Sequence, residues 1–185
     1  MRIIAGRFKR HALKSPPGDT ARPTTDRTRE SMFNLIVHRM QMDGACVLDL
    51  FAGSGALGIE AVSRGAGETT FVESDRRVMR ILQENALAMD PDQPWRFVER
   101  DALKFLRKEQ ESTWDLILAD PPYHAGGLDR LPDLVLPRLA DDGLFVLEHD
   151  RRVHFDEHPA LEETRTYGRT SVSIFRTASI SPDRS

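Results

Sequence analysis

Short apolar runs alternate with amphipathic segments through the middle of the chain, and this alternation predicts strands and helices in turn. The predicted strands are Cys46 to Leu50, Glu68 to Glu73, Trp95 to Glu99, Trp114 to Ala119 and Leu144 to Glu148. The predicted helices are Ala56 to Arg64, Asp75 to Ala88, Ala102 to Lys108 and Leu128 to Leu139. Continuous apolar strands separated by helices are typical of a doubly wound α/β fold with a mostly parallel sheet.

The segment before the first of these strands predicts a hairpin, a loop and a helix. Arg2 to Ala5 and His11 to Lys14 can pair as a short β-hairpin. Glycine and prolines make Ser15 to Pro23 a linker or a binding loop. Thr25 or Asp26 can cap the helix that follows. The apolar stripe of that helix comprises Met32, Phe33, Ile36 and Val37.

The length of 185 residues suits one main domain with a small appendage. At the carboxyl end, Glu162 to Thr166 and Ser171 to Phe175 predict a closing hairpin. We therefore expect a basic hairpin extension over residues 1–23, a main domain over 24–177 and a loose tail over 178–185.

The composition argues against a membrane-spanning protein and against one stabilised by disulfides or a cysteine metal cluster. Hydrophobic residues make up 39% of the chain, and no apolar run approaches the length of a membrane span. Cys46 is the one cysteine, so neither an internal disulfide nor a cysteine metal cluster can form. We expect a soluble, cytoplasmic, monomeric protein with no membrane partner and no bound metal.

Charge is distributed unevenly along the chain. Residues 1–39 hold nine Lys or Arg against three acids, which gives this segment a charge of +6. Because the net charge of the whole chain is −3, the remaining residues together carry −9. A basic segment on an acidic body fits a polyanion-binding appendage, and charge alone also fits a solvated basic hairpin. The candidate RNA-binding residues are Arg2, Arg7, Lys9, Arg10, Lys14, Arg22 and Arg27.

A glycine-rich turn follows the first predicted strand of the sheet. Gly53, Gly55 and Gly58 match a dinucleotide fingerprint, and Glu73 stands where an acid can bind ribose hydroxyls. A lone glycine pattern is weak evidence for a nicotinamide cofactor. A dehydrogenase would also need a second substrate domain, for which the chain has no room.

The acids around this turn favour S-adenosylmethionine over a dinucleotide. Asp49 beside the turn would repel a pyrophosphate but attract the ammonium group of S-adenosylmethionine. Glu73 could bind its ribose, and Asp101 could accept from its adenine amino group. Structural roles stay open as alternatives: a buried hydrogen-bonding group for Asp49, a solvated strand end for Glu73 and a helix N-cap for Asp101.

The tetrapeptide Asp120 to Tyr123, of sequence DPPY, directly follows the fourth strand. An amino group conjugated to a base ring is a poor nucleophile, so a site that methylates it must hold the nitrogen as it pyramidalises. Asp120 and the carbonyl of Pro121 can accept its hydrogens. Pro121 and Pro122 stiffen the turn, and Tyr123 offers a stacking face for a flipped base. The alternative is a rigid turn with Tyr123 in the core.

Together these residues resemble the bacterial 16S ribosomal RNA guanine-N2 methyltransferases of the RsmD type. Three blocks carry the resemblance: Arg2 to Gly6 with Arg22 to Asn34, Asp49 to Gly58, and Asp120 to Tyr123. The resemblance implies a Rossmann-like class I methyltransferase fold, with a seven-stranded sheet whose last strand is inserted antiparallel. It further implies an N-terminal hairpin that grips 16S RNA or the assembling small subunit, and N2-methylguanine at position 966 as the product, with S-adenosylhomocysteine released.

The site residues that these arguments give are of two kinds. The candidate cofactor-binding residues are Asp49, Phe51, Gly53, Gly55, Glu73, Asp101 and Ala102. The candidate catalytic residues are Asp120, Pro121, Pro122 and Tyr123.

One position departs from the family pattern. Arg10 stands where a hairpin glycine is expected, which puts the geometry of that turn in question. Two other functions stay open: a DNA methyltransferase acting on adenine N6 or cytosine N4, and a non-catalytic RNA-binding assembly protein.

Overall fold

The computed structural model describes residues 1–16, 26–109, 112–122 and 126–176. The strands are β1 (Cys46–Leu50), β2 (Glu68–Glu73), β3 (Trp95–Glu99), β4 (Trp114–Ala119), β5 (Leu139–Asp150), β6 (Leu161–Tyr167) and β7 (Thr170–Arg176). The helices are α1 (Asp26–Val37), α2 (Ala56–Ser63), α3 (Arg76–Met89), α4 (Ala102–Lys108) and α5 (Leu131–Val135). Among the described residues, no helix is both long and apolar enough to cross a membrane.

The strands form one sheet in the order β3-β2-β1-β4-β5-β7-β6. The first five strands run parallel, and β7 pairs antiparallel with both β5 and β6. The predicted mostly parallel α/β sheet is therefore confirmed, and so is the antiparallel insertion of the last strand. Two apolar clusters, one on each face, cover the central strands.

The predicted helix from Leu128 to Leu139 is wrong in its length. Two short 3-10 segments, Leu128–Arg130 and Leu136–Arg138, flank α5 and leave it only five residues. Pro137 lacks an amide proton and so cannot donate the hydrogen bond to the carbonyl four residues earlier that would continue the α-helix. Leu139 instead starts β5, which begins five residues earlier than predicted because Leu139 pairs with Trp114 of β4.

The apolar stripe of α1 is also partly wrong. Val37 is 42% exposed, whereas Met32, Phe33 and Ile36 are fully buried as predicted. Leu35 takes the fourth apolar place at 6% exposure. Val37 is the last residue of the helix.

The N-terminal hairpin is shorter than predicted and belongs to the core. Its β pairing consists of one antiparallel bridge, between Arg2 and Ala12. Ile3, Phe8 and Leu13 are nevertheless buried in the same apolar cluster as the helices on that face of the sheet. Packing on the domain, more than its own ladder, therefore holds the hairpin.

Polar groups of α2 fix the hairpin in place. The side chain of Glu60, which is fully buried, accepts hydrogen bonds from Ile4 N at 2.7 Å and Ala5 N at 3.0 Å. The hairpin backbone also approaches α2 closely at Gly6, where a Cβ would lie 1.7 Å from Ser63 O. Only glycine therefore fits at this point of the hairpin.

Arg10 adopts the left-handed conformation for which a glycine is expected at its position. Its φ is +72°, which crowds the Cβ of an ordinary residue. The hairpin turn therefore keeps its backbone geometry, and the arginine carries the strain.

We expect Arg10→Gly to stabilise the protein. Relief of the left-handed strain gains about 1 to 2 kcal/mol, and the greater freedom of glycine in the unfolded chain costs about 0.5 to 1 kcal/mol. The free energy of unfolding from urea titration should rise by up to about 1.5 kcal/mol. The neighbouring Lys9→Gly, where φ is not positive, should lower it; a loss of stability in both variants would contradict the strain at Arg10.

Candidate active site

Four loops meet at the carboxyl edge of the parallel strands. The register aligns Leu50 of β1 with Val72 of β2 and with Ala119 of β4. It also aligns Glu73 of β2 with Glu99 of β3. The segments that follow these strands therefore emerge side by side, where open α/β sheets bind their ligands.

The glycine turn after β1, residues 51–55, has an unusual backbone. Phe51, Gly53 and Gly55 have φ values of +57°, +54° and +83°. Phe51 is strained in this region, as non-glycine residues at functional sites often are. A Cβ at Gly53 would meet only Phe51 O, at 3.9 Å, so the outer side of the turn has room for a ligand.

Side chains from three elements hold the turn. Gly53 N donates to Glu73 Oε2 at 3.0 Å, and Gly58 N donates to Asp49 Oδ2 at 2.8 Å. Asn85 of α3 donates from Nδ2 to Ser54 O at 2.9 Å. The turn is thereby fixed to β2 and α3, and the Asp49 bond joins β1 to α2, the helix that directly follows the turn.

Asp49 lies beneath the turn and is 1% exposed. Burial raises the pKa of its carboxyl well above the usual range; the Gly58 amide opposes this shift, and repulsion by Asp120 and Glu73 adds to it. The structural role considered for Asp49 is thus present in the fold, and its contact with a cofactor ammonium group stays a prediction.

Gly58 permits the close packing of α2 on the sheet. A Cβ at this position would lie 2.3 Å from Cε1 of Phe71 and 2.9 Å from Cγ2 of Thr69, both on β2. The third glycine of the fingerprint therefore serves helix–strand contact.

Glu73 and Asp101 also have internal partners. Glu73 Oε1 accepts from Asp75 N at 2.8 Å, in addition to the bond to the glycine turn. Asp101 caps α4 by accepting from Lys104 N at 2.9 Å, and it remains exposed to solvent. Ala102 is 3% exposed and packs in the core. Ligand contacts by these three residues stay predictions.

The turn after β4 lies beside the glycine turn. Asp120 is partly buried, Pro121 is buried and Pro122 is exposed. The charge of Asp120 acts on Asp49 through space, in keeping with the adjacent positions of β1 and β4. Tyr123 lies outside the described residues.

The candidate RNA-binding cations fall into two groups. Arg2, Arg7 and Lys14 form ion pairs with Asp26, Asp90 and Glu84 at 2.8, 3.0 and 2.7 Å. Lys9, Arg10 and Arg27 are exposed and form no ion pair within the part of the chain that the structure describes. Arg22 lies outside that part. The charge count of the segment therefore overstates the positive charge available to a partner.

Asn85 is a site residue that the sequence arguments missed. It is 3% exposed and lies on the buried stripe of α3, between Leu82 and Ala86. An asparagine at a core position of an amphipathic helix must find hydrogen-bond partners, and this pattern could have pointed to it.

A cavity of about 280 Å³ lies at the opposite edge of the sheet, lined in part by Ala45, Asp115 and Gly143. These residues stand at or near the amino ends of β1, β4 and β5. The cavity is therefore separate from the carboxyl-edge site.

The sheet order and the glycine turn at its carboxyl edge define a Rossmann-like class I methyltransferase fold. A family model described as "Conserved hypothetical protein 95" matches residues 1–176. The chain is 37% identical over 152 residues to ribosomal RNA small subunit methyltransferase D of Escherichia coli strain K12, covering 81% of this chain and 75% of that protein. The protein of the same name from Haemophilus influenzae is 35% identical over 182 residues, which cover 95% of this chain and 93% of that protein.

A solved structure agrees with these sequence matches. The Escherichia coli protein yhhF superposes with a TM-score of 0.82 at 32% identity, and the match covers 97% of this chain and 98% of that chain. The chain belongs to the RsmD family, as its sequence motifs predicted.

We expect Asp49→Asn to gain stability relative to the wild type as pH rises. Asparagine can still accept from Gly58 N. The raised pKa means that the folded wild type holds a proton which the unfolded chain loses near the ordinary value of 3.8. Protonation of Asp49 therefore adds to the free energy of unfolding of the wild type. This contribution is complete below the unfolded pKa and is lost as pH rises through the folded pKa.

The measurement is urea unfolding of both proteins from about pH 4 to about pH 8. Their difference in unfolding free energy should grow by about 1.4 kcal/mol for each unit by which the folded pKa exceeds the unfolded one. Parallel pH profiles would contradict the raised pKa of Asp49.

Proposed function

We propose that this protein transfers a methyl group from S-adenosylmethionine to the exocyclic N2 of a guanine in 16S ribosomal RNA. Position 966, which the motif resemblance implies, is the proposed target. The proposal rests chiefly on one observation: the Asp120–Pro122 turn stands directly beside the glycine turn, because Ala119 pairs with Leu50 in adjacent parallel strands.

The hydrogen bonds of the glycine turn favour S-adenosylmethionine over a dinucleotide. A pyrophosphate cradle uses free amides, but Gly53 and Gly58 donate to carboxylates and Gly55 donates to Ala52 O at 2.8 Å. The amides of Ala56 and Leu57, at the start of α2, form no hydrogen bond within the described residues. They suit the carboxylate of the amino-acid moiety.

The remaining groups fit the rest of that molecule. Glu73 lies beside the turn with its carboxylate already oriented by two amides, and it can accept from ribose hydroxyls. Asp101 stands at the adjacent strand end, where it can accept from the adenine amino group. Asp49 contributes negative charge beneath the site when it is ionised, and this charge favours an ammonium group.

The chain's own residues then prepare the nucleophile. Asp120 and the carbonyl of Pro121 accept the two hydrogens of the guanine amino group, which holds its nitrogen lone pair toward the methyl group. Bound S-adenosylmethionine supplies an activated methyl on a sulfonium leaving group. The nitrogen–carbon bond forms as the carbon–sulfur bond breaks, the electron pair stays on sulfur, and the nitrogen then loses a proton to the Asp120 carboxylate, which passes it to solvent. Positioning and carboxylate stabilisation supply the acceleration.

The names of the relatives support RNA as the substrate. Proteins at 35% and 37% identity are named ribosomal RNA small subunit methyltransferases. In this chain, exposed Lys9, Arg10 and Arg27 provide cations that can contact phosphates.

Asp120→Ala should abolish most methyl transfer without abolishing cofactor binding. Loss of one group that stabilises the reacting centre costs about 10²- to 10³-fold in kcat. Transfer of labelled methyl from S-adenosylmethionine to small subunits that lack the modification measures the rate, and calorimetry measures cofactor affinity. The matched control is Asp92→Ala, an exposed aspartate away from the site. Full activity in Asp120→Ala would refute the role of this turn.

Unpaired cations should contribute more to RNA affinity than paired ones. Lys9→Ala and Arg27→Ala should each weaken binding to 16S ribosomal RNA and lower the slope of log affinity against log salt by about 0.7 to 0.9. Arg7→Ala should change the slope less, because Asp90 already neutralises Arg7. Filter binding at several salt concentrations checks this order, and the reverse order would contradict it.

A further inference from the structure

The N-terminal hairpin reaches the glycine turn at two points. Ser54 Oγ, on the turn, contacts Met1 Sδ at 3.8 Å. The other end of the hairpin, Lys14, is joined to Ser54 through Asn85. Leu13 N donates to Met1 O at 2.9 Å, so the two ends of the hairpin are tied to each other.

Asn85 uses its whole side-chain amide to make this connection. Nδ2 donates to Ser54 O at 2.9 Å and to Lys14 O at 3.0 Å, and Oδ1 accepts from Lys14 N at 2.9 Å. Both amide hydrogens and the amide oxygen are therefore satisfied at a residue that is 3% exposed. An aspartate could not donate to the two carbonyls, and an alanine could make none of the three bonds.

The connection runs through an ordered element. α3 has 14 residues and is capped by Asp75, whose side chain accepts from Arg77 N and Val78 N. Leu82 of the same helix packs against the turn, since a Cβ at Gly55 would lie 3.1 Å from Leu82 Cγ. A shift of the hairpin relative to α3 must therefore disturb either the Lys14 bonds or the Ser54 bond.

We propose that Asn85 is a positioning residue that couples the hairpin to the glycine turn, so that cofactor binding and RNA binding strengthen each other. This inference rests on the proposed function, in which the turn binds S-adenosylmethionine and the hairpin face contacts RNA. Coupling between two sites is reciprocal, so it can be measured from the cofactor side alone.

The test is amide hydrogen exchange of the hairpin with and without S-adenosylhomocysteine. In the wild type, saturation with this ligand should slow exchange of the amides of Ile3, Arg10 and Leu13, whose hydrogen bonds lie within the hairpin, by about fivefold or more. In Asn85→Ala the ligand should still bind, but this protection should disappear. Asn85→Ser, which is too short to span both partners, gives the same expectation if the alanine variant does not fold.

The matched control is Ser63→Ala. Ser63 Oγ accepts from Phe8 N at 2.9 Å and donates to Ala5 O, so this variant loosens the hairpin without touching the bonds at Ser54. Its exchange should be faster throughout, yet the ligand should still slow it. A merely structural role for Asn85 would make both variants behave alike.

The outcomes distinguish a failure of the coupling from a failure of the proposed methyltransferase function. Retained protection in the Asn85 variants, or no protection in a wild type that binds the ligand, overturns the coupling and leaves the methyltransferase function standing. A wild type that does not bind S-adenosylhomocysteine overturns the proposed function as well. In the wild type, 16S ribosomal RNA should raise the affinity for the cofactor. In Asn85→Ala, the RNA should leave that affinity unchanged.

Discussion

The hydrogen bonds that hold the backbone of the glycine turn are the constraint on which the rest of the structure depends. A turn with three positive φ values in five residues needs support from outside itself. Glu73 and Asn85 supply it from β2 and α3, and Asp49 of β1 holds Gly58 of the helix that follows the turn. Because these bonds engage the amides of Gly53 and Gly58, the turn is poorly suited to a pyrophosphate. The pairing of β1 with β4 places the turn beside Asp120, where, in the proposed function, a methyl donor and an amino nucleophile meet.

The N-terminal hairpin is held to the domain by buried contacts. Its basic composition alone suggests a mobile appendage, yet Ile3, Phe8 and Leu13 lie in the core and buried Glu60 binds its backbone. Three of its cations are paired with acids of the body. The segment therefore has two functions in this account: it completes the apolar face of the sheet, and it presents the side chains of Lys9 and Arg10 to solvent.

Most of the fold could be predicted from the sequence, because apolar strands and amphipathic helices have distinct periods. β1 to β4 have the predicted bounds. The start of β5 could not be predicted: Asp141 and Asp142 interrupt its apolar run, and pairing with β4 determines that it begins at Leu139. The short pairing of the N-terminal hairpin likewise depends on packing against α2, which local patterns do not contain.

The candidate site could be predicted only in part. The sequence indicated which acids follow the strands, since each comes directly after an apolar run. It could not indicate that Asp49 is buried and bonded to Gly58, or that Arg7 is paired with Asp90, because these contacts join distant parts of the chain. The partners of Asn85 could not be indicated either, because its three hydrogen bonds go to Lys14 and Ser54, which lie in two other segments.

The central claim is that the site methylates the exocyclic amine of a guanine in ribosomal RNA. Nucleoside mass spectrometry tests this most directly, after wild-type protein and S-adenosylmethionine have been incubated in parallel with small subunits, free 16S RNA and DNA. The account predicts N2-methylguanosine in the subunits or the RNA, at a single position. Methylation confined to adenine N6 or cytosine N4 of DNA, or no methylation of any substrate by protein that binds the cofactor, would contradict it.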